Sequence, residues 1–213
     1  MYVRIAKRLL DVILAVTSLI LLSPLFVGLA LLIKLASNGP VFFRQERIGR
    51  GLRPFWIYKF RTMVAEAQQT GPMITAGEDP RITRIGRILR KTKADELPQL
   101  INVLYGQMSF VGPRPEVRHY VNLFRRDYEE ILSIRPGMTD LASLTYCNEQ
   151  TQLGLVADPE EEYITRVLPD KIALAKEYVR RSSFFFDVSL ILKTVLRICT
   201  GDKWVRIINS ASK

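Results

Sequence analysis

The chain has 213 residues, which suffices for one folded domain and a membrane segment, and 48% of them are apolar and 24% charged. This composition excludes a disordered chain and a protein with several membrane spans. Lysine and arginine outnumber aspartate and glutamate 31 to 21. The resulting charge of +10 predicts an anionic partner: nucleic acid, lipid headgroups or a phosphorylated small molecule. Two distant cysteines, Cys147 and Cys199, and the lone His119 indicate neither a disulfide framework nor a zinc site.

The first predicted element is an apolar helix. Residues 12–33 carry no formal charge, and as a helix they would measure about 33 Å against a hydrocarbon core of about 30 Å. Ser23 and Pro24 lie at its middle. Pro24 removes a backbone donor and costs ~3 kcal/mol in a straight helix, and Ser23 can bond to a freed carbonyl. The pair predicts a break in the helix.

Basic residues flank this helix on both sides. They are Arg4, Lys7 and Arg8 before it and Lys34, Arg44, Arg47, Arg50 and Arg53 after it. Because positive flanks favour the cytoplasm, both ends are expected on the same side of the membrane. The sequence favours a re-entrant helix over residues 1–36, broken at Ser23-Pro24, with residues 37–213 as a cytoplasmic domain. A single kinked span is the alternative.

The next predicted elements are a hairpin and several helices, which give a mostly helical α+β fold. Residues 41–63 carry β-branched and aromatic residues on either side of Gly49-Arg50-Gly51, which is typical of a β-hairpin. Residues 81–92, "RITRIGRILRKT", predict an amphipathic helix with a solvated or lipid-facing charged stripe. Its predicted apolar face is Ile82, Ile85, Ile88 and Leu89, and Arg81, Arg84, Arg87 and Arg90 lie elsewhere on it.

Further helical patterns cover residues 117–134, 158–181 and 184–199. The second consists of two pieces broken before Pro169. The third carries Lys193 and Arg197 four positions apart, followed by Lys203, Trp204 and Arg206, and it suits an interfacial helix or a core helix equally.

Adjacent carboxylates, Asp95-Glu96, stand out between these helices. Since proline is tolerated in the first turn of a helix, Pro98 predicts that a helix begins near Asp95. N-capping is the simplest role for such an aspartate. However, Arg81, Arg90 and Arg114 are close in sequence, and guanidinium groups suit diphosphate oxygens. Two carboxylates beside arginines can hold a divalent cation and a phosphate together.

Seven motifs, in order along nearly the whole chain, resemble the bacterial sugar transferase family of monotopic phosphoglycosyl transferases. Together they form a highly specific set: Lys7-Arg8 with Asp11, Ser23-Pro24, "YKFRTM" (58–63), "DPRITRIGRILR" (79–90), "DELPQLINVL" (95–104), "MSFVGPRP" (108–115) and "RPGMT" (135–139). Enzymes of this family move a phosphosugar from a nucleotide diphosphate sugar to polyprenyl phosphate.

The resemblance implies a role for each of these site residues. Asp95 is the nucleophile that forms an aspartyl phosphosugar with release of UMP from a UDP-sugar, and Glu96 completes the dyad and helps to bind Mg²⁺. The expected substrate-binding residues are Lys59, Arg81, Arg90, Pro113, Arg114 and Pro115. The expected partners are a UDP-sugar, polyprenyl (undecaprenyl) phosphate and membrane lipids, without nucleic acid, and a homodimer is left open. The location is the bacterial inner membrane, with the domain facing the cytoplasm.

Two segments depart from the family pattern, and two other functions are considered. Thr92-Lys93-Ala94 stands where a Ser-Leu pair is usual, and Asp140-Leu141-Ala142 where Gly-aromatic-Ala-Gln is usual. The second departure leaves the sugar undetermined. One alternative is a glycosyltransferase that releases UDP, with Asp95 and Glu96 as metal ligands. The other is a non-enzymatic module that binds anionic lipid or nucleic acid.

Overall fold

A computed structural model describes residues 5–64, 67, 74–146 and 148–200 of the protein, and in these residues the fold is α+β and mostly helical. Arg4, Cys147, Lys203, Trp204 and Arg206 lie outside the described residues.

The N-terminal helix, α1 (Ala6–Ala36), continues through the predicted break. Pro24 has no N–H to donate to the carbonyl of Ile20, four residues back. The Ser23 hydroxyl donates to that same carbonyl at 2.8 Å and so replaces the missing donor. The break is therefore not an interruption of the helix, and the re-entrant path stays a prediction. Within the described residues, α1 is the one helix long and apolar enough to cross a membrane.

Both ends of α1 contact the rest of the fold. Near its start, the Asp11 carboxylate accepts from the Ser109 hydroxyl at 3.0 Å and from the Phe110 N–H at 2.9 Å. Near its end, Ile33 packs against Phe60 and Leu89. The outer face of α1 is apolar and exposed, with Ile13, Ile20, Leu21, Val27 and Leu31 all more than half exposed. The helix therefore lies along the domain and offers an apolar surface outwards.

The predicted hairpin is confirmed. Strands β1 (Phe42–Ile48) and β2 (Pro54–Phe60) pair antiparallel, with Phe42 opposite Phe60 and Ile48 opposite Pro54. Gly51 has a φ of 66°, a left-handed conformation that glycine adopts without strain, so the chain can turn here. The hairpin places Lys59, near the end of β2, beside the next elements of the chain.

Helix α2 (Arg84–Thr92) follows, and its predicted apolar face is partly wrong. Leu89 is buried and Ile85 packs in the same cluster, but Ile88 is 64% exposed. The helix approaches the backbone of Thr62 so closely that a Cβ on Gly86 would lie 1.9 Å from the Thr62 carbonyl oxygen. This approach turns the buried face towards Gly86 and Leu89 and leaves Ile88 outside it.

The charged stripe predicted over residues 81–92 is also wrong for two of its arginines. Arg84 and Arg87 are exposed as expected. In contrast, Arg81 forms an ion pair with Asp79, and the Arg90 Nε donates to the Thr62 hydroxyl at 2.9 Å. These two arginines are partly buried, and each guanidinium group has an acceptor within the fold.

The remaining elements are short and mostly helical. They are a 3₁₀ turn (Ala94–Glu96), α3 (Gln99–Leu104), β3 (Ser109–Val111), α4 (Arg118–Leu123), α5 (Arg125–Ile131), β4 (Gly137–Thr139), α6 (Leu141–Thr145), α7 (Glu149–Leu153), α8 (Pro159–Glu162), α9 (Leu168–Arg181) and α10 (Phe184–Thr200). The helix predicted over residues 117–134 is two helices that meet at Phe124. Before Pro169 the chain forms a π-helical turn, Tyr163–Val167, between α8 and α9. The parallel pair of β3 and β4 was not predicted.

Helix α10 has one buried face and one exposed apolar face. Asp187 and Leu190 are buried, whereas Phe185 is 83% exposed and Leu192, Val195, Leu196 and Ile198 are each more than half exposed. The face of α10 that packs on the domain is thus a core face. That its other, exposed face lies at the membrane interface stays a prediction.

Candidate active site

The adjacent acids lie on a tight turn between α2 and α3. Lys93 has a φ of 58° and ends α2, and its carbonyl accepts from the Glu96 N–H at 3.2 Å. Helix α3 begins at Gln99, directly after Pro98, so the predicted helix start near Asp95 is close to the observed one. The capping interpretation is wrong, because the Asp95 carboxylate accepts no hydrogen bond from a described backbone N–H.

Asp95 is buried, and the described residues leave one of its carboxylate oxygens unpaired. The residue is 7% exposed, and its Oδ1 has no hydrogen-bond partner among the described residues. Burial raises the pKa of Asp95 above the usual aspartate range, and the positive charge of Lys59 acts against that rise. A buried carboxylate oxygen that no protein group holds is available to a ligand.

Glu96 is the opposite case, because two cations hold it. Its Oε1 accepts from the Lys59 Nζ at 2.8 Å and from the Arg114 Nη2 at 2.6 Å. Burial alone would raise the pKa of Glu96, but Arg114 and Lys59 hold it well below the usual glutamate range. Glu96 is therefore ionised at neutral pH, and it fixes the positions of Lys59 and Arg114.

Arg114 reaches the dyad from the Pro-Arg-Pro segment, whose backbone is fixed on both sides. The Pro113 carbonyl accepts from the Gly137 N–H at 2.9 Å, and the Pro115 carbonyl accepts from the Arg47 Nη1 at 3.3 Å. The two prolines therefore position Arg114 through their backbone carbonyls.

Asp140 also holds this segment, and sequence reasoning missed it as a site residue. Its Oδ2 accepts from the Arg114 N–H at 3.2 Å, while its Oδ1 caps α6 through the Ser143 N–H at 2.7 Å. The one sequence feature that could have drawn attention to Asp140 is that the segment Asp140-Leu141-Ala142 departs from the family pattern.

Arg90 lies with the dyad, and Arg81 lies one layer further out. The charges of Asp95 and Glu96 both act on Arg90, whose Nε donates to the Thr62 hydroxyl. The Arg81 guanidinium instead forms a fork on Asp79, with Nη2 at 2.6 Å from Oδ2, and donates to the Ala67 carbonyl. The structure thus brings Lys59, Arg90 and Arg114 to the dyad but places Arg81 on Asp79.

The arrangement suits a phosphorylated ligand and a divalent cation. A free, buried carboxylate lies beside an ionised one, and cationic side chains surround both. The described residues contain no group of three His, Cys, Asp or Glu side chains able to hold a metal ion. Mg²⁺ usually takes only one or two carboxylates and completes its ligands with substrate phosphates and water. The open Oδ1 of Asp95 fits such a site.

Comparisons with known proteins agree on one family. Residues 2–201 match the family model described as "Bacterial sugar transferase". The chain is 41% identical, over 92% of its length, to the UDP-N-acetylgalactosamine-undecaprenyl-phosphate N-acetylgalactosaminephosphotransferase of Aeromonas hydrophila. It is 39% identical, over 94% of its length, to a UDP-glucose:undecaprenyl-phosphate glucose-1-phosphate transferase of Caulobacter vibrioides, and 38% identical, over 93%, to the exopolysaccharide production protein PSS of Rhizobium leguminosarum.

These relatives differ in length. The chain spans 98% of the Rhizobium protein and 72% of the Caulobacter protein, but only 44% of the Aeromonas protein.

Proposed function

This chain belongs to the bacterial sugar transferase family, and we propose that it transfers a phosphosugar from a UDP-sugar to undecaprenyl phosphate. The names of the Aeromonas and Caulobacter relatives, which join these two substrates, support the proposal. The product, a lipid-linked diphosphate sugar, would begin the assembly of a glycan such as an exopolysaccharide or a lipopolysaccharide.

The state of Asp95 is the observation that carries this proposal. A structural aspartate would be hydrogen-bonded, since burying an unpaired polar atom costs about 1–3 kcal/mol. Asp95 instead has a buried, open Oδ1 beside three cationic side chains. These features suit a nucleophile that attacks phosphorus in a site prepared for negative charge.

The reaction has two displacements at the same phosphorus. In the first, an Asp95 oxygen forms a bond to the β-phosphorus, the bond to the bridging oxygen breaks, and UMP leaves with that oxygen. In the second, an oxygen of undecaprenyl phosphate bonds to the same phosphorus and the Asp95 carboxylate leaves. Splitting the transfer lets a soluble donor and a membrane-bound acceptor react in turn.

The neighbouring residues stabilise the charge of the transferring group. Lys59 and Arg114, fixed by Glu96, present cations at the dyad, and Arg90 and Lys93 add positive charge beside Asp95. Asp95 and Glu96 would hold Mg²⁺ together with phosphate oxygens of the donor, and the ion would withdraw negative charge from the phosphoryl group.

We further propose that α1 enters the bilayer and returns to the cytoplasmic side. Asp11 and Ile33 lie 22 residues apart on α1, and both contact the same domain. A domain on one side of the membrane cannot contact both ends of a helix that crosses a core of about 30 Å. The exposed apolar face of α1 also supports a helix embedded in one leaflet. This position brings the dyad to the depth of lipid phosphates.

The test is an assay of the purified protein with Mg²⁺, undecaprenyl phosphate and separate UDP-sugars, beginning with UDP-N-acetylgalactosamine and UDP-glucose. We expect UMP and a lipid-linked product with one donor. Asp95→Asn is the control and should release no UMP. Release of UDP would contradict the proposal and make the protein a glycosyltransferase. Absence of any nucleotide release across the donor panel would favour a binding module.

A further inference from the structure

Gln99 is buried, and its side chain makes no hydrogen bond to any described residue. The residue is 1% exposed, and its Nε2 has no partner within the part of the chain that the structure describes. Its Oε1 also has no hydrogen-bond partner among the described residues, but it is the less enclosed of the two amide atoms. Buried amides are almost always paired, and an exception calls for an explanation such as a ligand.

The position of Gln99 relates it to the dyad. It follows Asp95 by four residues along a continuous helical path through Leu97 and Pro98, so both side chains lie on one face. Asn102, three residues further, lies on that face too, and its side chain binds the Tyr58 N–H at 3.0 Å and the Trp56 carbonyl at 2.7 Å. Gln99 therefore lies between the reacting carboxylate and a structural amide.

The two open atoms complement each other with respect to a phosphoryl group. The Oδ1 of Asp95 is an unpaired acceptor and the Nε2 of Gln99 is an unpaired donor. When the Asp95 carboxylate approaches the phosphorus, the Gln99 amide on the same helical face can donate to an oxygen bonded to that phosphorus. Lys59 and Arg114 add positive charge on the same group. The oxygens of a phosphoryl group can accept from Gln99 and interact with the charges of Lys59 and Arg114.

We propose that the Gln99 amide donates a hydrogen bond to a β-phosphoryl oxygen of the UDP-sugar and is a substrate-binding residue. The inference rests on the proposed phosphosugar transfer. The amide remains unpaired in the free protein because its partner is the substrate. Gln99 thus holds the phosphoryl group in line with the Asp95 carboxylate.

The test compares Gln99→Met with the wild type, since methionine fills a similar volume without an N–H. The free protein should unfold at the same temperature or higher, because removing an unpaired buried amide relieves a cost. The kcat/KM for the UDP-sugar should fall about 10- to 100-fold, the range expected for losing a hydrogen bond to a charged group. Gln99→Glu should lose more, because it adds a negative charge beside the phosphoryl group.

A binding measurement separates this inference from the proposed function. UDP carries a β-phosphate and UMP does not, so the wild type should be stabilised more by UDP than by UMP in thermal unfolding with Mg²⁺. Gln99→Met should remove most of this difference. This readout needs no turnover, so it tests Gln99 even where the transferase assay fails.

The matched control is Asn102→Leu, which removes a paired amide from the same helix face. It should lower the unfolding temperature of the free protein, unlike Gln99→Met. Three outcomes would overturn the proposal: Gln99→Met destabilised as much as Asn102→Leu, unchanged donor kinetics, or a higher KM for undecaprenyl phosphate alone. The last would assign the amide to the lipid phosphate.

Discussion

Asp95 and Glu96 are neighbours in sequence with opposite electrostatic surroundings. Two cations bind Glu96 directly and hold its pKa well below the usual range, whereas burial raises the pKa of Asp95. One residue is thus a fixed anion that orders Lys59 and Arg114, and the other is the proposed nucleophile, for which the described residues supply no hydrogen-bond partner at Oδ1. Such a division of roles between adjacent groups is typical of active sites.

Asp95→Asn should abolish UMP release without loss of stability. Burial disfavours the ionised form of Asp95, so the neutral amide should leave the unfolding temperature unchanged or raise it. A raised carboxyl pKa costs stability as the pH rises through the folded-state pKa. At acid pH the wild-type Asp95 is protonated and neutral, so any stability gain of Asp95→Asn over the wild type should disappear there. Thermal unfolding at several pH values and the UMP assay measure both effects.

A strongly destabilised Asp95→Asn protein would mean that Asp95 holds the fold together and would contradict the nucleophile assignment. Substantial turnover by a folded variant would contradict it too.

The transfer rate should fall in acid at a pH above that of an ordinary aspartate. The proposed attack requires the ionised form of Asp95, whose pKa burial raises above the ordinary value of 3.8. Glu96 keeps its charge in this range because its own pKa is lowered. Single-turnover UMP release against pH gives the apparent pKa. A value at or below 3.8 would show that Asp95 does not limit the rate in acid.

At the scale of elements, the parallel pair of β3 and β4 positions the Pro-Arg-Pro segment. Its glycines let the two backbones approach, because a Cβ on Gly137 would lie 2.1 Å from the Gly112 nitrogen. The Gly137 N–H also donates to the Pro113 carbonyl. The direction of Arg114 therefore depends on this close approach.

Gly137→Ala should destabilise the protein by about 1–3 kcal/mol, as overpacking does. The substitution should also lower the kcat/KM of transfer. A displacement of Arg114 by ~1 Å would lower it by up to about 100-fold. Denaturant unfolding and kcat/KM measure these effects. Gly28→Ala on α1 is the control, because its Cβ would meet nothing within 4 Å. Equal behaviour of the two variants would show that the approach of β3 and β4 does not fix the site.

Sequence reasoning found the elements that have a repeated or local pattern and missed the others. The β1–β2 hairpin could be predicted from its aromatic runs and glycines, and α1 from its apolar length. The β3–β4 pair could not, because each strand has three residues and 25 residues separate Val111 from Gly137. The exposure of Ile88 was also missed, because a helical period does not reveal that Gly86 packs on Thr62.

The candidate site was also predicted only in part, because sequence reveals local patterns but not long-range contacts. Adjacent acids, a nearby proline and neighbouring arginines are local signals, so Asp95, Glu96, Arg90 and Arg114 could be selected from sequence. The pairing of Arg81 with Asp79 and the tie from Asp140 to Arg114 depend on contacts that only the fold creates.

At the scale of the molecule, a buried ion pair joins the N-terminal helix to the C-terminal helix. The Lys7 ammonium contacts the Asp187 carboxylate, and the Tyr178 hydroxyl hydrogen-bonds to both groups. Lys7 is 6% exposed and Asp187 is 1% exposed. Because a buried charge without its partner is costly, this contact fixes α1 against α9 and α10.

Lys7→Met should lower the stability by about 3–5 kcal/mol, because it leaves Asp187 buried and ionised without a cation. The double variant Lys7→Met with Asp187→Leu should recover most of that loss, since two apolar side chains can replace the pair. Unfolding in a fixed detergent or nanodisc gives both values. A double variant as unstable as the single one would show that packing, rather than charge pairing, makes Lys7 important.

The same ion pair sets an order of events during synthesis, because Lys7 and Asp187 are 180 positions apart. At about 5–20 residues per second, the ribosome needs about 9–36 s between the two. On the proposed membrane placement, Lys7 emerges and α1 would meet the bilayer in that interval, before the acid that will neutralise the lysine has been made. An unpaired lysine is costly to bury, so Lys7 should stay hydrated until α10 follows. Locking of the first helix is thus among the last folding steps of the protein.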